Sequence, residues 1–344
     1  MKAIVVHGPR DMRIEEIAED PVLPGTVRVQ IASGGICGSD LHYYQDGGYG
    51  TVRISEPLIL GHEISGHVTE LGDGVTDLAI GDLVAISPSR PCHDCTYCRD
   101  GAFKHCLNMR FYGSAMPTPH IQGAFRENIV ADAGNCHKLD DGITPQLAAF
   151  AEPLAVVLHA INRAGDLTGK RVLITGCGPI GALCVQAAKA AGAAEIVVTD
   201  ILDAVLITAM KTGADTAINV ATDPGWTSRY SADKGTFDVM LECSGNESAL
   251  RAGLEVLRPL SVLVQLGLGG DVSLPQNLIV AKEINLRGSF RFHEEFANAV
   301  AMINAGRLDL SVLLSAEFNF TDAVKAFDVA ADRSKVMKVQ LDFT

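Results

Sequence analysis

The chain has 344 residues, 47% hydrophobic and 20% charged, with a formal net charge of −13 and nine cysteines. That length implies two domains, each able to bury its own core, and the acidic balance excludes a protein that grips nucleic acid or anionic lipid through a positive field. No membrane span is expected, because the longest apolar stretch, "LAAFAEPLAVVLHAI", is interrupted by Glu152 and Pro153; "MKAIVVHGPRD" reads as a first strand rather than a leader, so the expected location is cytoplasmic.

Residues 1–155 are rich in Gly, Pro, Cys and His, with short alternating runs such as "TVRVQIAS" and "DLVAISP" that predict strands joined by turns. Within them, "ICGSDLHYY" sets Cys37, Ser39, Asp40 and His42 close together, and "LGHEISGHVTELGDGV" adds His62 and Glu63. Next, "PCHDCTYCRDGAFKHC" spaces Cys92, Cys95, Cys98 and Cys106 as C-x2-C-x2-C-x7-C. Four thiolates in so short a loop can close a tetrahedral shell around Zn²⁺ with no open position, the mark of a structural site. In a chain without a secretion signal, the crowding of four of the nine cysteines into this one segment also favours metal over disulfides. "FAEPLAV" then supplies Glu152.

Taken singly, Cys37 would be a small buried hydrophobe and His62–Glu63 a solvated pair. Together, Cys37, His62, Glu63 and Glu152 are one soft and several harder ligands, the mixed set of a catalytic zinc that keeps a position open for water or substrate. In that reading Asp40 orients the ligating imidazole, and Ser39 and His42 pass a proton from the bound alcohol to solvent. Two zinc ions per chain are therefore expected, one catalytic and one structural.

From Arg171 the pattern changes. "RVLIT", "EIVVTD", "FDVMLECSG" and "SVLVQLG" are β-branched runs separated by Ala-rich helical stretches, the alternation of a parallel α/β sheet. "RVLITGCGPIGALCVQAAKAAGAAEIVVTD" runs from strand through Gly176, Gly178 and Gly181 into a helix, with Asp200 19 residues after the last glycine. Gly176 permits the tight turn, Gly178 lets backbone approach a pyrophosphate, and Gly181 lets helix lie on strand. The helix N-terminus offers its free N–H groups to the phosphates. Asp200 can accept from the adenosine ribose hydroxyls and repel a 2′-phosphate, and Asp203 adds to that repulsion, so NAD is expected over NADP. The chain closes with two amphipathic helices, "EEFANAVAMINAG" and "FTDAVKAFDVAAD", and a strand in "KVMKVQLDF".

On these residues the chain resembles the zinc-dependent medium-chain dehydrogenases over essentially its whole length, and the zinc signature G-H-E-x2-G-x5-G-x2-V is matched from Gly61 to Val75. Glu63 and Glu152 resemble the sorbitol and polyol branch, where residues matching Cys37, His62 and Glu63 bind zinc and the match of Glu152 either ligates it or holds its water. The resemblance implies an α/β protein: a GroES-like β-rich catalytic domain from residues 1–155 and 291–344, around a Rossmann domain at 156–290 with a doubly wound parallel sheet. It also implies cofactor contacts from Pro179, Ile180, Leu266, Gly267, Phe290 and Arg291, and a homodimer or homotetramer joined at a Rossmann edge strand near "SVLVQLGLGGDVSL".

Narrower still, "GGICGSDLHYYQDG", "MRFYGSAMPTPH", "AFAEPLAV", "LRGSFRF" and "LLSAEFNFTDA" are similar to the L-idonate 5-dehydrogenase group, which implies a sugar acid oxidised at C5. Such a substrate needs its carboxylate paired, and a bidentate arginine suits it best. Arg291 and Arg110 are the candidates, with Tyr43 and Tyr112 as hydroxyl donors. One departure bears on the cofactor: the basic residue that polyol dehydrogenases carry after the ribose-binding acid is replaced by Val205, and some relatives accept NADP. Neutral polyols such as sorbitol or xylitol are the alternative substrates. A non-enzymatic NAD-binding descendant of the fold is the alternative class, one that would be expected to have lost the ligands kept here.

Overall fold

In the computed structural model, which describes residues 1–344, the middle of the chain forms a six-stranded sheet whose neighbouring strands all run parallel. Its order is Thr216–Asn219, Glu195–Asp200, Arg171–Thr175, Phe237–Glu242, Leu257–Gln265, Asn285–Gly288. The first strand in sequence lies inside; the next two step off to one side and the last three to the other. The winding therefore reverses beside Arg171–Thr175, opening a crevice at the carboxyl ends of the strands, where such sheets take their ligands.

The four inner strands were legible because both of their faces are covered, so they read as runs of Val, Ile and Leu. The two edge strands, "TAIN" and "NLRG", were not: they are four residues long and largely polar, as blunt edges tend to be. The expected edge is thereby corrected. Leu257–Gln265 lies one strand in, and Asn285–Gly288 is the edge.

The two chain ends meet in a second, seven-stranded sheet. Its long strand Thr26–Gly35 pairs with Glu63–Leu71 on one side and with the closing strand Lys338–Asp342 on the other, Gly35 lying opposite both Glu63 and Gln340. Alternation in "TVRVQIAS" buries Val27, Val29 and Ile31 completely and leaves Gln30 exposed. One apolar cluster runs from Ala3 to Phe343, so both ends of the chain share a core.

Between the two bodies lie the helices Ala151–Ala164 and Glu295–Asn304. Phe292, Phe296, Val300 and Leu313 join the core of the nucleotide body, which therefore reaches past the expected boundary at 290/291. Counted together with the short helix before it, Pro145–Ala164 is a 20-residue segment of mean hydropathy 1.2, long and apolar enough to cross a membrane. This corrects the expectation that none exists. Most of the segment is buried inside the protein, where it serves as a core helix.

Candidate active site

Cys37 precedes the helix Gly38–Asp46, and its backbone N–H donates to Asp40 Oδ2 at 3.0 Å, an N-terminal capping contact that fixes Asp40. The other oxygen of Asp40 lies 3.5 Å from His62 Nδ1, and both side chains are buried. The ligand atoms of Cys37, His62 and Glu63 lie within 4.8 Å of one another. Glu152, at the start of its helix, is buried beside this trio but stands outside it.

Burial opposes charge on His62, yet the Asp40 carboxylate and the Cys37 thiol raise its pKa well above the usual imidazole value. Burial also raises Asp40, and it pushes the Glu152 carboxyl up to about 7 against the pull of His62. A buried thiol, imidazole and carboxylate with an orienting acid behind the imidazole fit a zinc ion in donor type and number.

The second metal site is equally compact: Cys92, Cys95, Cys98 and Cys106 place their sulfurs within 4.8 Å of one another. Backbone N–H groups point into the cluster, from Cys92 and Asn108 to Cys106 Sγ at 3.2 and 3.3 Å, and from Leu107 to Cys95 Sγ at 3.4 Å. The N–H of Asp94 and the Asn108 amide lower the Cys92 thiol to about 6. Such donors favour thiolates, which are what a Zn²⁺ shell requires.

In the nucleotide cradle each glycine meets a distinct demand. Gly176 has φ +80°, and a Cβ there would lie 2.7 Å from the Ser244 backbone; at Gly181 it would lie 2.0 Å from Gly176 O. Gly178 faces open space, as a close approach to phosphate requires. Pro179 opens the helix Pro179–Ala190, and Ile180 is half-buried behind it. Asp200 Oδ2 accepts from the Cys177 N–H at 2.8 Å, while Oδ1 accepts from Ile201 and Leu202 at 2.7 and 3.0 Å, tying the glycine loop to the next strand end. Val205 is buried, so its side chain belongs to the core and not to the ribose edge.

Sequence reasoning missed Glu242. Wholly buried at a strand end, it accepts from Thr175 Oγ1, the Ser244 and Gly245 N–H groups and Gln265 Nε2 at 3.2, 2.9, 3.0 and 2.5 Å. Its backbone carbonyl takes the N–H groups of Leu266 and Gly267, both at 2.9 Å. An acid ending a strand looked like any solvated charge.

Arg291 reaches the metal trio through one ring. Its guanidinium lies 4.3 Å from the Phe111 centroid and 5.0 Å from that of Phe290, and the Phe111 ring is 5.7 Å from His62. Nη2 approaches Met116 Sδ at 3.4 Å, and Tyr43, Tyr49 and Glu152 are its charge neighbours. No carboxylate forms an ion pair with it, and burial presses its pKa down, as expected of a cation short of an anion. Its backbone sits at φ +54°, uncommon for a non-glycine residue.

Two expected substrate contacts are corrected. Arg110 and Phe111 form a two-residue strand, and of these neighbours it is the Phe111 ring that lies beside His62. Arg110 is exposed. Tyr112 is 3% exposed, in the core of the N-terminal body, with Arg90 5.6 Å over its ring. Tyr43 is equally buried, its ring 5.6 Å from Tyr49 and its hydroxyl accepting from Ala115 N–H at 3.1 Å, and it is a charge neighbour of Arg291. Ser39 and His42 lie one turn apart on the helix, and His42 Nδ1 meets Asp46 Oδ2 at 3.1 Å near solvent.

Residues 23–141 match the alcohol dehydrogenase GroES-like domain family and residues 179–305 the zinc-binding dehydrogenase family. The chain is 43% identical over 343 residues to L-idonate 5-dehydrogenase (NAD(P)(+)) of Escherichia coli strain K12, covering 99% of this chain and 98% of that one. It is 34% identical over 335 residues to sorbitol dehydrogenase of Bombyx mori, covering 95% and 94%. The crystal structure of the E. coli L-idonate 5-dehydrogenase superposes with a TM-score of 0.95 over 99% of this chain and 97% of that one. With family matches at both domains and full-length likeness to these relatives, the chain belongs to the zinc-binding alcohol dehydrogenase family as an NAD(P)-dependent polyol or sugar-acid dehydrogenase.

Proposed function

We propose that the protein interconverts L-idonate and 5-keto-D-gluconate, taking the hydride from C5 and the proton from the C5 hydroxyl, with NAD as the favoured carrier. The observation that carries this reading is Arg291, an unpaired guanidinium one aromatic ring from the metal trio, where a sugar acid's C1 carboxylate would meet two parallel N–H donors. Full-length likeness to the E. coli enzyme supports the same substrate.

Cys37, His62 and Glu63 would hold a zinc ion that, when bound, would polarise the substrate oxygen as a Lewis acid, and the glycine loop with Asp200 would hold the nicotinamide dinucleotide that would carry the hydride. The chain's own residues do the rest. Ser39 accepts the hydroxyl proton and hands it to His42, whose exposure and contact with Asp46 lead it to solvent. Glu152, whose carboxyl burial pushes up to about 7, is close to half-protonated at pH 7 and serves in either protonation state to hold water or ligand beside the trio. Asp200, at the end of the strand after the glycine loop, and Asp203 in the following helix support NAD over NADP, since both would repel a 2′-phosphate.

A neutral polyol is the second reading, favoured by the fact that Arg291 is already stacked on two aromatic rings. Steady-state assay of L-idonate against sorbitol, with NAD and NADP, on metal-analysed protein separates them. A tenfold or greater preference for idonate in kcat/KM supports the first; parity supports the second.

The free edge Asn285–Gly288 supports assembly into a homodimer, or a homotetramer of two such pairs: Leu260, Val280 and Leu286 around it are 68%, 67% and 47% exposed. Leu286→Lys should shift the sedimentation coefficient to that of a monomer. All nine cysteines are unpaired thiols, which supports a reducing, cytoplasmic setting.

A further inference from the structure

We propose that Lys338 is a positioning residue of the metal centre: it reserves one oxygen of Glu63 so that a single oxygen remains for the cation. This rests on the reading that Cys37, His62 and Glu63 hold that ion. Lys338 opens the closing strand and is 4% exposed. Its Nζ donates to Ile36 O at 3.0 Å and forms an ion pair with Glu63 Oε2.

Glycine makes the pairing possible. A Cβ at Gly35, on the strand between them, would lie 2.1 Å from Glu63 Oε2 and 3.0 Å from Lys338 Cε. The third residue of "SGG" is therefore where the ion pair passes over the sheet. Cys37 and Glu152 are the other charge neighbours of the ammonium.

A buried ammonium beside a cation site repels the cation it neighbours, so filling space does not account for it; an apolar side chain would do that without the repulsion. Holding Glu63 does account for it. A carboxylate free to turn can offer both oxygens, whereas one bound on Oε2 offers one, leaving the metal short of a ligand and open to substrate. Lys338 also offsets one anionic ligand, which leaves the ion more electron-poor.

The test uses the full-length protein with cobalt exchanged into the trio and zinc retained by the four cysteines, one of each per chain by metal analysis. Loss of the cobalt–thiolate band in Cys37→Ser first assigns the cobalt; failure here sinks the ligand reading itself, separately from the proposal. Lys338→Met should then lower the intensity of the visible d–d bands as cobalt gains a ligand, and lower kcat about 10- to 100-fold with the metal still bound. Lys338→Arg should keep the parent spectrum. In a Glu63→Gln background, Lys338→Met should change nothing further. Where the single variant fails to fold, the double variant, which removes both charges, carries the comparison with Glu63→Gln alone. An unchanged spectrum in Lys338→Met, or the same spectral change with and without Glu63, overturns the proposal.

Discussion

Replacing Arg291 by Met removes the one unpaired cation beside the trio while keeping much of its apolar stem. Loss of a hydrogen-bonded contact to a charged group costs about 1.5–3 kcal/mol, or roughly 10- to 150-fold in kcat/KM, and that loss falls only on a substrate bearing a carboxylate. Loss of stacking on Phe111 and Phe290 costs a further ~0.5–1 kcal/mol and falls on every substrate alike. The ratio of kcat/KM for L-idonate to that for sorbitol should therefore drop by about 10- to 150-fold, with sorbitol itself losing only about two- to fivefold. Steady-state rates at saturating NAD give the ratio, and quenching of protein fluorescence by NADH checks that cofactor affinity has not moved. Arg291→Lys should recover part of the loss, because a point charge replaces the fork. Arg110→Met should change neither substrate, since that side chain is exposed and Phe111, not Arg110, lies beside His62. Equal losses on both substrates in Arg291→Met would refute the carboxylate assignment.

Other expectations follow from the same geometry. Raised pKa values at His62 and Glu152 mean that the metal-free native state holds more protons near neutrality than the unfolded chain. Each group therefore stabilises it most below its own unfolded pKa, the carboxyl's for Glu152 and the imidazole's for His62, and each contribution falls as pH rises from there through the folded value. Zinc uptake by the trio should accordingly release at least one proton near pH 7, measurable by titration calorimetry in two buffers of different ionisation enthalpy. Gly181→Ala forces a Cβ to within 2.0 Å of Gly176 O, so NADH affinity should fall at least tenfold, as roughly 1–3 kcal/mol of overpacking distorts the loop; fluorescence titration reads it. Asp200→Ala strips three backbone N–H groups of their acceptor and removes the ribose partner. Its melting temperature should fall, and its ratio of NADP to NAD turnover should rise.

What could be read from the sequence was what short contiguous stretches encode. The four cysteines and the Gly176–Gly181 turn declare themselves because a metal shell or a phosphate loop needs its residues within a few turns of chain, and the structure sets both as expected in space. Arg110 and Tyr112 were misread because a two-residue strand gives no alternation to follow, so nothing in "MRFYGS" says that Phe111 alone faces His62. Lys338 and Glu242 were missed for a different reason. Each looks like an ordinary charge on or beside a strand, and becomes functional only through partners that strand register delivers from elsewhere in the chain.

Net charge ties these observations together. An anionic sugar acid approaching a protein of net charge −13 is repelled at long range, and at physiological ionic strength that field fades beyond about 8 Å. Attraction must then come from contact groups within that distance of the reacting carbon. Of the cations gathered around the trio, Lys338 is already paired with Glu63, and His62 faces Asp40. Arg291 alone forms no ion pair with a carboxylate: two aromatic rings and Met116 Sδ are what hold it, so its charge is left for a substrate anion to meet. An acidic protein can therefore select an acidic substrate, provided that one arginine is kept unpaired at the mouth of the metal site.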